Sequence, residues 1–172
     1  MTEQEKLMYE ILGQITTSDI PIVFKGGLIT KLILSESGLS SVQRTTKDID
    51  ANWIGQPPSM DYLVDSLNNS FGDLQRCYKA VASRQYGEKR SAGISVIDKN
   101  TGRKFITMDI DIKPLIDSKT YYYEQTKIRG VLPDEILADK ICVLSGEAIY
   151  KNRANSFERI ILCSLIIQFT PM

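Results

Sequence analysis

The alternation of apolar and polar positions opens with a helix. Across residues 3–17, Leu7, Met8, Ile11, Leu12 and Ile15 recur on one side, and glutamates occupy the first turn, where they suit the positive end of a helix. Ser18, Asp19 and Pro21 end it, and the apolar run 22–24 follows as a strand. Gly26 and Gly27 then turn the chain into a second helix over 28–34, with Leu28, Leu32 and Ile33 at helical spacing. Residues 35–43 are polar, carry Gly38 and read as a loop. A strand is predicted over 46–51, Gly55 to Pro58 breaks the chain, and Met60, Leu63, Val64, Leu67 and Phe71 mark a third helix. Leu74, Tyr78 and Val81 fit a further short helix. Residues 92–98 and 103–113 flank a turn-rich connector and read as a hairpin. Residues 121–132 have strand composition, and Pro133, Asp134 and Glu135 open a last helix carrying Ile136, Leu137, Ile141 and Leu144, with Lys140 on the same side. The fold class expected is α+β: a small mixed sheet with its acidic strands adjacent, backed by helices on one face.

Three stretches carry chemistry. Strand, glycine pair and helix follow one another at Gly26-Gly27, and glycines there let backbone approach a ligand while the N–H groups opening the helix favour an anion such as a triphosphate. In Thr46-Lys47-Asp48-Ile49-Asp50, the period of two puts Asp48 and Asp50 on one face. Two carboxylates side by side repel unless a cation sits between them, and a hard divalent ion such as Mg²⁺ is the natural candidate. A second acidic strand, 104–112, puts Thr107, Asp109 and Asp111 on one face and Ile106, Met108, Ile110 and Ile112 on the other. Each piece has a bland counterpart: a tight turn, a solvated strand edge, a half-exposed strand, and for Lys140 a stem running past the edge of the core.

Composition narrows the field. At 172 residues with 42% hydrophobic and 24% charged, the chain suits one globular domain with a real core. Lys plus Arg equals Asp plus Glu at 21 each, so no bulk positive field argues for nucleic acid, although a local basic patch is compatible with neutrality. The sequence has no histidine, which excludes His-ligated zinc, Ser-His-Asp triads and Cys-His pairs within it. Cys77, Cys142 and Cys163 are odd in number and widely spaced, as expected of reduced thiols. An acidic N-terminus and the absence of an apolar run near the ~20 residues of a membrane span make the expected location cytoplasmic.

The run Phe24-Lys25-Gly26-Gly27, followed by Arg44-x-Thr46-x-Asp48-Ile49-Asp50, resembles the AbiEii/AbiGii toxin family of the polymerase-β-type nucleotidyltransferase superfamily. In that family a Gly-Gly or Gly-Ser turn opens a helix and an Arg-x-Ser/Thr-x-Asp-h-Asp strand follows, h being apolar. The resemblance implies a Mg²⁺-dependent enzyme that moves a nucleoside monophosphate from a nucleoside triphosphate to a hydroxyl. Asp48 and Asp50 would hold one or two ions with a third carboxylate from the neighbouring strand, Asp109 or Asp111. Gly26 and Gly27 would take the β- and γ-phosphates, and Lys25, Arg44 and, less readily, Lys47 would contact phosphate or acceptor. Leu137-Ala138-Asp139-Lys140 resembles a Leu-Ala-Glu-Lys segment whose lysine meets the nucleotide phosphates, which assigns Lys140.

The same resemblance implies a toxin of a toxin–antitoxin or phage-defence pair, with a cognate antitoxin as partner and transfer RNA as a candidate acceptor beside a small molecule or a protein hydroxyl. It covers residues 20–153 and then lapses. Asn155 and Ser156 stand where an Arg-x-Lys-Asp segment has Lys and Asp, although Arg153 matches. The division expected is therefore a nucleotidyltransferase-like domain, 1–153, and an atypical apolar tail, 154–172, as in a truncated or frameshifted copy. The tail's IILCSLII octet suits burial against the helices or a second copy of the chain. The competing reading is a protein of this fold that binds a nucleotide or a partner without catalysis.

Overall fold

The computed structural model describes residues 2–39, 46–85 and 91–145. Helix α1 (Glu3–Thr17) starts where Thr2 and Glu5 cap each other: the Thr2 hydroxyl accepts from the Glu5 N–H at 3.2 Å, and the Glu5 carboxylate accepts from the Thr2 N–H at 3.4 Å. Strand β1 (Ile22–Lys25) runs directly into α2 (Gly26–Glu36). All positions of α2 from Gly27 to Leu34 are buried, Thr30 and Lys31 included, so this helix is enclosed on every side. There follow β2 (Asp48–Ile54), α3 (Met60–Ser70), a 3₁₀ turn (Gly72–Arg76), β3 (Tyr78–Arg84), β4 (Ser91–Asp98), β5 (Lys104–Lys113), β6 (Ser118–Tyr123), β7 (Thr126–Val131) and α4 (Pro133–Ser145).

The strands form one mixed sheet of seven in the order β3-β4-β5-β2-β1-β7-β6. β2 is its centre, antiparallel to β1 and parallel to β5. Alternation gives the sheet two unlike faces. Ile49, Ala51 and Trp53 of β2, Ile106, Met108 and Ile110 of β5, and Ala92, Ile94 and Val96 of β4 are all buried on one of them. Helices cover that face: Tyr9 of α1 stacks on Tyr123 of β6 at 4.2 Å, Tyr62 of α3 meets Trp53 edge-on at 6.1 Å, and Ile29 of α2 settles over Gly130 of β7. Gly130 is required there, because a Cβ would stand 2.8 Å from Ile29 Cδ1 and from the Tyr121 ring.

The mixed α+β sheet, the adjacent acidic strands and the hairpin of β4 and β5 agree with the sequence. Three expectations change. Leu74, Tyr78 and Val81 do not share a helix: a 3₁₀ turn holds Leu74, and the other two lie in edge strand β3, where pairing with β4 overrides the helical spacing. Residues 121–132 are not one strand but most of the β6–β7 hairpin, which turns at Glu124 with φ 53°. Finally, helices do not keep to one face. α4 lies on the acidic side, with Ile136 buried but Ile141 exposed, so its apolar positions do not form one core-facing stripe. Among the described residues no helix is long and apolar enough to cross a membrane.

Candidate active site

Pairing across five strands sets a cation, two acids, a glycine and a second cation in one row on the acidic face. Lys25 of β1 stands opposite Asp50 of β2, Asp50 opposite Asp109 of β5, Asp109 opposite Gly93 of β4, and Gly93 opposite Arg84 of β3. Directly paired residues project on the same side, with Cβ atoms about 4.5–5.5 Å apart. Asp48 shares the face two residues before Asp50, level with Thr107, and Asp111 lies two residues beyond Asp109, level with Asn52. The parallel register of β2 and β5 thereby separates two candidates that alternation alone leaves equivalent: Asp109 faces Asp50, and Asp111 does not.

The cations at the two ends of the row treat these acids differently. Lys25 Nζ donates to Asp111 Oδ2 at 2.6 Å and stands 3.9 Å from Asp139 Oδ2 of α4. Arg84 Nη2 donates to Asp109 Oδ1 at 2.8 Å and to Ser91 Oγ at 3.1 Å. For Asp111, burial pushes the carboxyl up, but the bond and charge of Lys25, the Ser91 hydroxyl and the charge of Lys113 outweigh it and hold the carboxyl below its ordinary value. Asp50 goes the other way. Burial raises it, Lys25 and Lys140 offset only part of the rise, and the like charges of Asp109 and Asp48 add to it. Proton affinity is therefore raised at the residue where negative charge is most crowded.

The glycines explain that crowding. Gly26 has φ +69°, and a Cβ on it would collide with the Asp50 carboxylate, standing 2.8 Å even from Asp50 Cγ. A Cβ on Gly27 would run into the Thr46 hydroxyl and lie 3.2 Å from its methyl. The pair lets the start of α2 press onto the acidic strand. Lys25, the residue before the helix, makes no side-chain cap to it, and the first N–H groups of the helix open beside the acids. Beside it is a cavity of about 420 Å³ bounded by Lys25, Gly26, Asp50 and Asp111 and, from α4, Ile136, Asp139 and Lys140.

Asp48, Asp50, Asp109, Asp111, Lys25, Gly26, Gly27 and Lys140 are thus all at or beside one place, and Lys47 is exposed at the entry to β2. Arg44, Arg153, Asn155, Ser156 and the apolar tail lie outside the described residues. Sequence reasoning missed Asp139, which touches Lys25 and was visible only as the neighbour of Lys140. It also missed Arg84, whose partner is 25 positions away, and Glu5, which receives Lys31 of α2 and the Thr46 N–H at 3.3 Å and so ties two helices to the entry of β2. Asn52, buried with neither amide atom hydrogen-bonded among the described residues, gave no signal at all.

Among the described residues no three acid side chains converge on one point, and Asp109 and Asp111 are each ion-paired, with Arg84 and with Lys25 respectively. The donor chemistry nevertheless suits a hard cation. Asp48, Asp50 and Asp109 offer only carboxylate oxygens from adjacent strands on one face, and positive groups from either end already lean into them.

The fold is shared by several nucleotidyltransferase structures. ANT(2″)-Ia in complex with adenylyl-2″-tobramycin superposes with a TM-score of 0.59 at 14% identity, covering 96% of this chain and 90% of that one. An antigenic nucleotidyltransferase-like protein from Paracoccidioides brasiliensis gives 0.57 at 16% identity, covering 94% and 76%. The Megavirus polyadenylate synthase gives 0.51 at 12% identity, covering 98% of this chain but 35% of its own. At these identities the likeness establishes the fold. No curated protein matches the sequence. The family described as nucleotidyl transferase AbiEii toxin, type IV toxin–antitoxin system, matches residues 10–157. That match spans most of the chain, the sheet, the acid row and α4 included, and the chain therefore belongs to the AbiEii toxin family of nucleotidyltransferases.

Proposed function

We propose that this nucleotidyltransferase transfers a nucleoside monophosphate from a nucleoside triphosphate to a hydroxyl of RNA, transfer RNA being the acceptor class. It does so with Mg²⁺, as the toxin of a pair that acts in phage defence. The observation that carries the reading is the parallel pairing of β2 with β5, which sets Asp109 opposite Asp50 on the face that carries Asp48, beside the glycine start of α2. Asp48, Asp50 and Asp109 would hold Mg²⁺, which supplies charge stabilisation at the phosphates when bound.

The chain's own residues do the rest. The triphosphate lies in the cavity between β1 and α4, its β- and γ-phosphates on the N–H groups of Gly26 and Gly27, with Lys25 and Lys140 flanking them. Asp111 and Asp139 hold Lys25 in that wall, so Asp111 is read as a positioning residue rather than a third ligand. The acceptor hydroxyl oxygen attacks the α-phosphorus from the β5 side. Its proton passes to the Asp109 carboxylate, the bond to the bridging oxygen breaks, and pyrophosphate leaves towards Lys140.

The test is incubation with each α-labelled nucleoside triphosphate, Mg²⁺ and total RNA. The expected result is label on an RNA band with one nucleotide. Label on no RNA with any nucleotide, or label on a small hydroxyl compound alone, contradicts the RNA acceptor.

A further inference from the structure

Arg84 stands at the end of the acid row opposite to the nucleotide cavity, and its presence there depends on an irregularity in the chain. From Tyr78↔Asp98 to Ala82↔Ile94 the β3–β4 register advances one for one, and continued regularly it would set Arg84 opposite Ala92, a residue of the buried apolar face. A bulge between Ala82 and Arg84 shifts the register so that Arg84 pairs with Gly93 instead. One residue of slip exchanges the faces of a strand, and bulges commonly serve to re-aim a side chain. Here the slip turns an arginine from the apolar side to the carboxylates.

Gly93 completes the arrangement. It is the residue between Arg84 and Asp109 in the row, and a Cβ there would stand 3.0 Å from both Arg84 Cβ and Ser83 Oγ. A side chain at that position would occupy the path by which the guanidinium crosses β4. Among the described residues the guanidinium bonds through Nη2 alone, and the Arg84 side chain remains 58% exposed. An ion pair this exposed has little net strength and is readily exchanged for a stronger anion.

We propose that Arg84 is the acceptor-side cation of the active site. It screens Asp109 while that carboxylate has no metal, and when the carboxylate is taken it turns its fork to a phosphate of the acceptor RNA strand. The inference rests on the RNA reading given above. Lys25 and Lys140 serve the cavity on the β1 side of the acids, and among the described residues Arg84 meets Asp109 from the other side. A ribose hydroxyl presented to Asp109 from that side brings its neighbouring backbone phosphate with it, and a planar guanidinium is suited to grip phosphate with two parallel bonds.

The experiment compares wild type with Arg84→Ala and Arg84→Lys in three measurements. The first is affinity for unfractionated transfer RNA across a salt series, which needs no transfer. Arg84→Ala should bind about 10- to 100-fold more weakly, as loss of a charge-assisted contact gives, with a salt slope smaller by about one, and Arg84→Lys should recover part of the affinity. The second is Mn²⁺ affinity of the protein without nucleotide, which should rise in Arg84→Ala because a competitor for Asp109 is gone. The third is the KM for the nucleoside triphosphate, which should stay within about twofold because the cavity is untouched. Equal RNA affinity of wild type and Arg84→Ala overturns the proposal whatever the transfer assay gives. Weaker Mn²⁺ binding in Arg84→Ala also overturns it, since the arginine would then be shaping the acid site. Wild type that labels no RNA refutes the acceptor reading on its own, before any variant is compared.

Discussion

Two acids in this chain sit in crowded surroundings and are treated in opposite ways. Glu5 of α1 is 3% exposed, and although burial raises its carboxyl, the bond and charge of Lys31 and the N–H groups of Thr46 and Thr2 pull it below its ordinary value. Asp50 of β2 is half-buried and is pushed up by burial, with two further aspartates beside it. A charge that the fold satisfies fully is a fastening, and here it fixes α1 and α2 to the entry of the acidic strand. The proposed site lies where the fold leaves like charges together, with a cavity beside them. Substitutions that treat the two acids alike should therefore produce opposite results.

The largest stability effect belongs to Glu5→Gln. It leaves the Lys31 ammonium buried without its counter-ion, at a cost of about 3–5 kcal/mol. The pH dependence follows from the sign of the shift. A carboxyl held below its ordinary 4.5 contributes stability that is present above that value and is lost as pH falls through the lower folded value. Wild type should thus lose stability across this acid window more steeply than Glu5→Gln, measured by thermal unfolding at a series of pH values. An equally steep acid limb in the variant would remove Glu5 from the account.

Next comes Gly26→Ala, compared with Gly38→Ala. Both glycines have positive φ, +69° and +74°, so both substitutions carry the backbone strain of about 1 kcal/mol or more. Only at Gly26 does the added carbon meet Asp50, since none of the described residues lies within 4 Å of a Cβ at Gly38. Nucleotide transfer should collapse in the first and persist in the second, with the larger fall in melting temperature also in the first. Equal losses would mean that strain alone accounts for both.

A smaller effect is expected from Asp111→Asn. It releases Lys25 without touching the Asp50–Asp109 pair, so the KM for the nucleoside triphosphate should rise several-fold, by the loss of one charge-assisted hydrogen bond, while kcat changes less. A loss in kcat as deep as that of Asp109→Asn would return Asp111 to the metal ligands.

The period-two alternation of acids and apolar residues made β2 and β5 legible, and the glycine pair marked the start of α2 without the structure. What alternation cannot supply is register. Asp109 and Asp111 lie on the same face by spacing, and only the parallel pairing with β2 decides which meets Asp50. Edge strand β3 was illegible because Leu74, Tyr78 and Val81 suit a helix locally, and its strand state comes from β4, a partner that local pattern does not contain. The β6–β7 turn went unseen because Glu124 and Gln125 carry no glycine or proline, and the left-handed φ is taken by a glutamate. Arg84 needed both a bulge and a partner strand to reach Asp109, neither of which its own neighbourhood announces.

The central claim is that the row across β2 and β5 performs chemistry at some expense to the fold. Asp50→Asn tests it when transfer rate and melting temperature are measured on the same preparation, with substrate saturating. Ionised Asp50 costs stability at neutral pH because its folded value is raised, so the amide should leave the melting temperature equal or higher. The transfer rate should fall by about 10²–10³ or more, as removal of one electrostatic element of an active site does. A variant that transfers as fast as wild type, or one that melts several degrees lower, would show Asp50 to be a structural residue and would contradict the account.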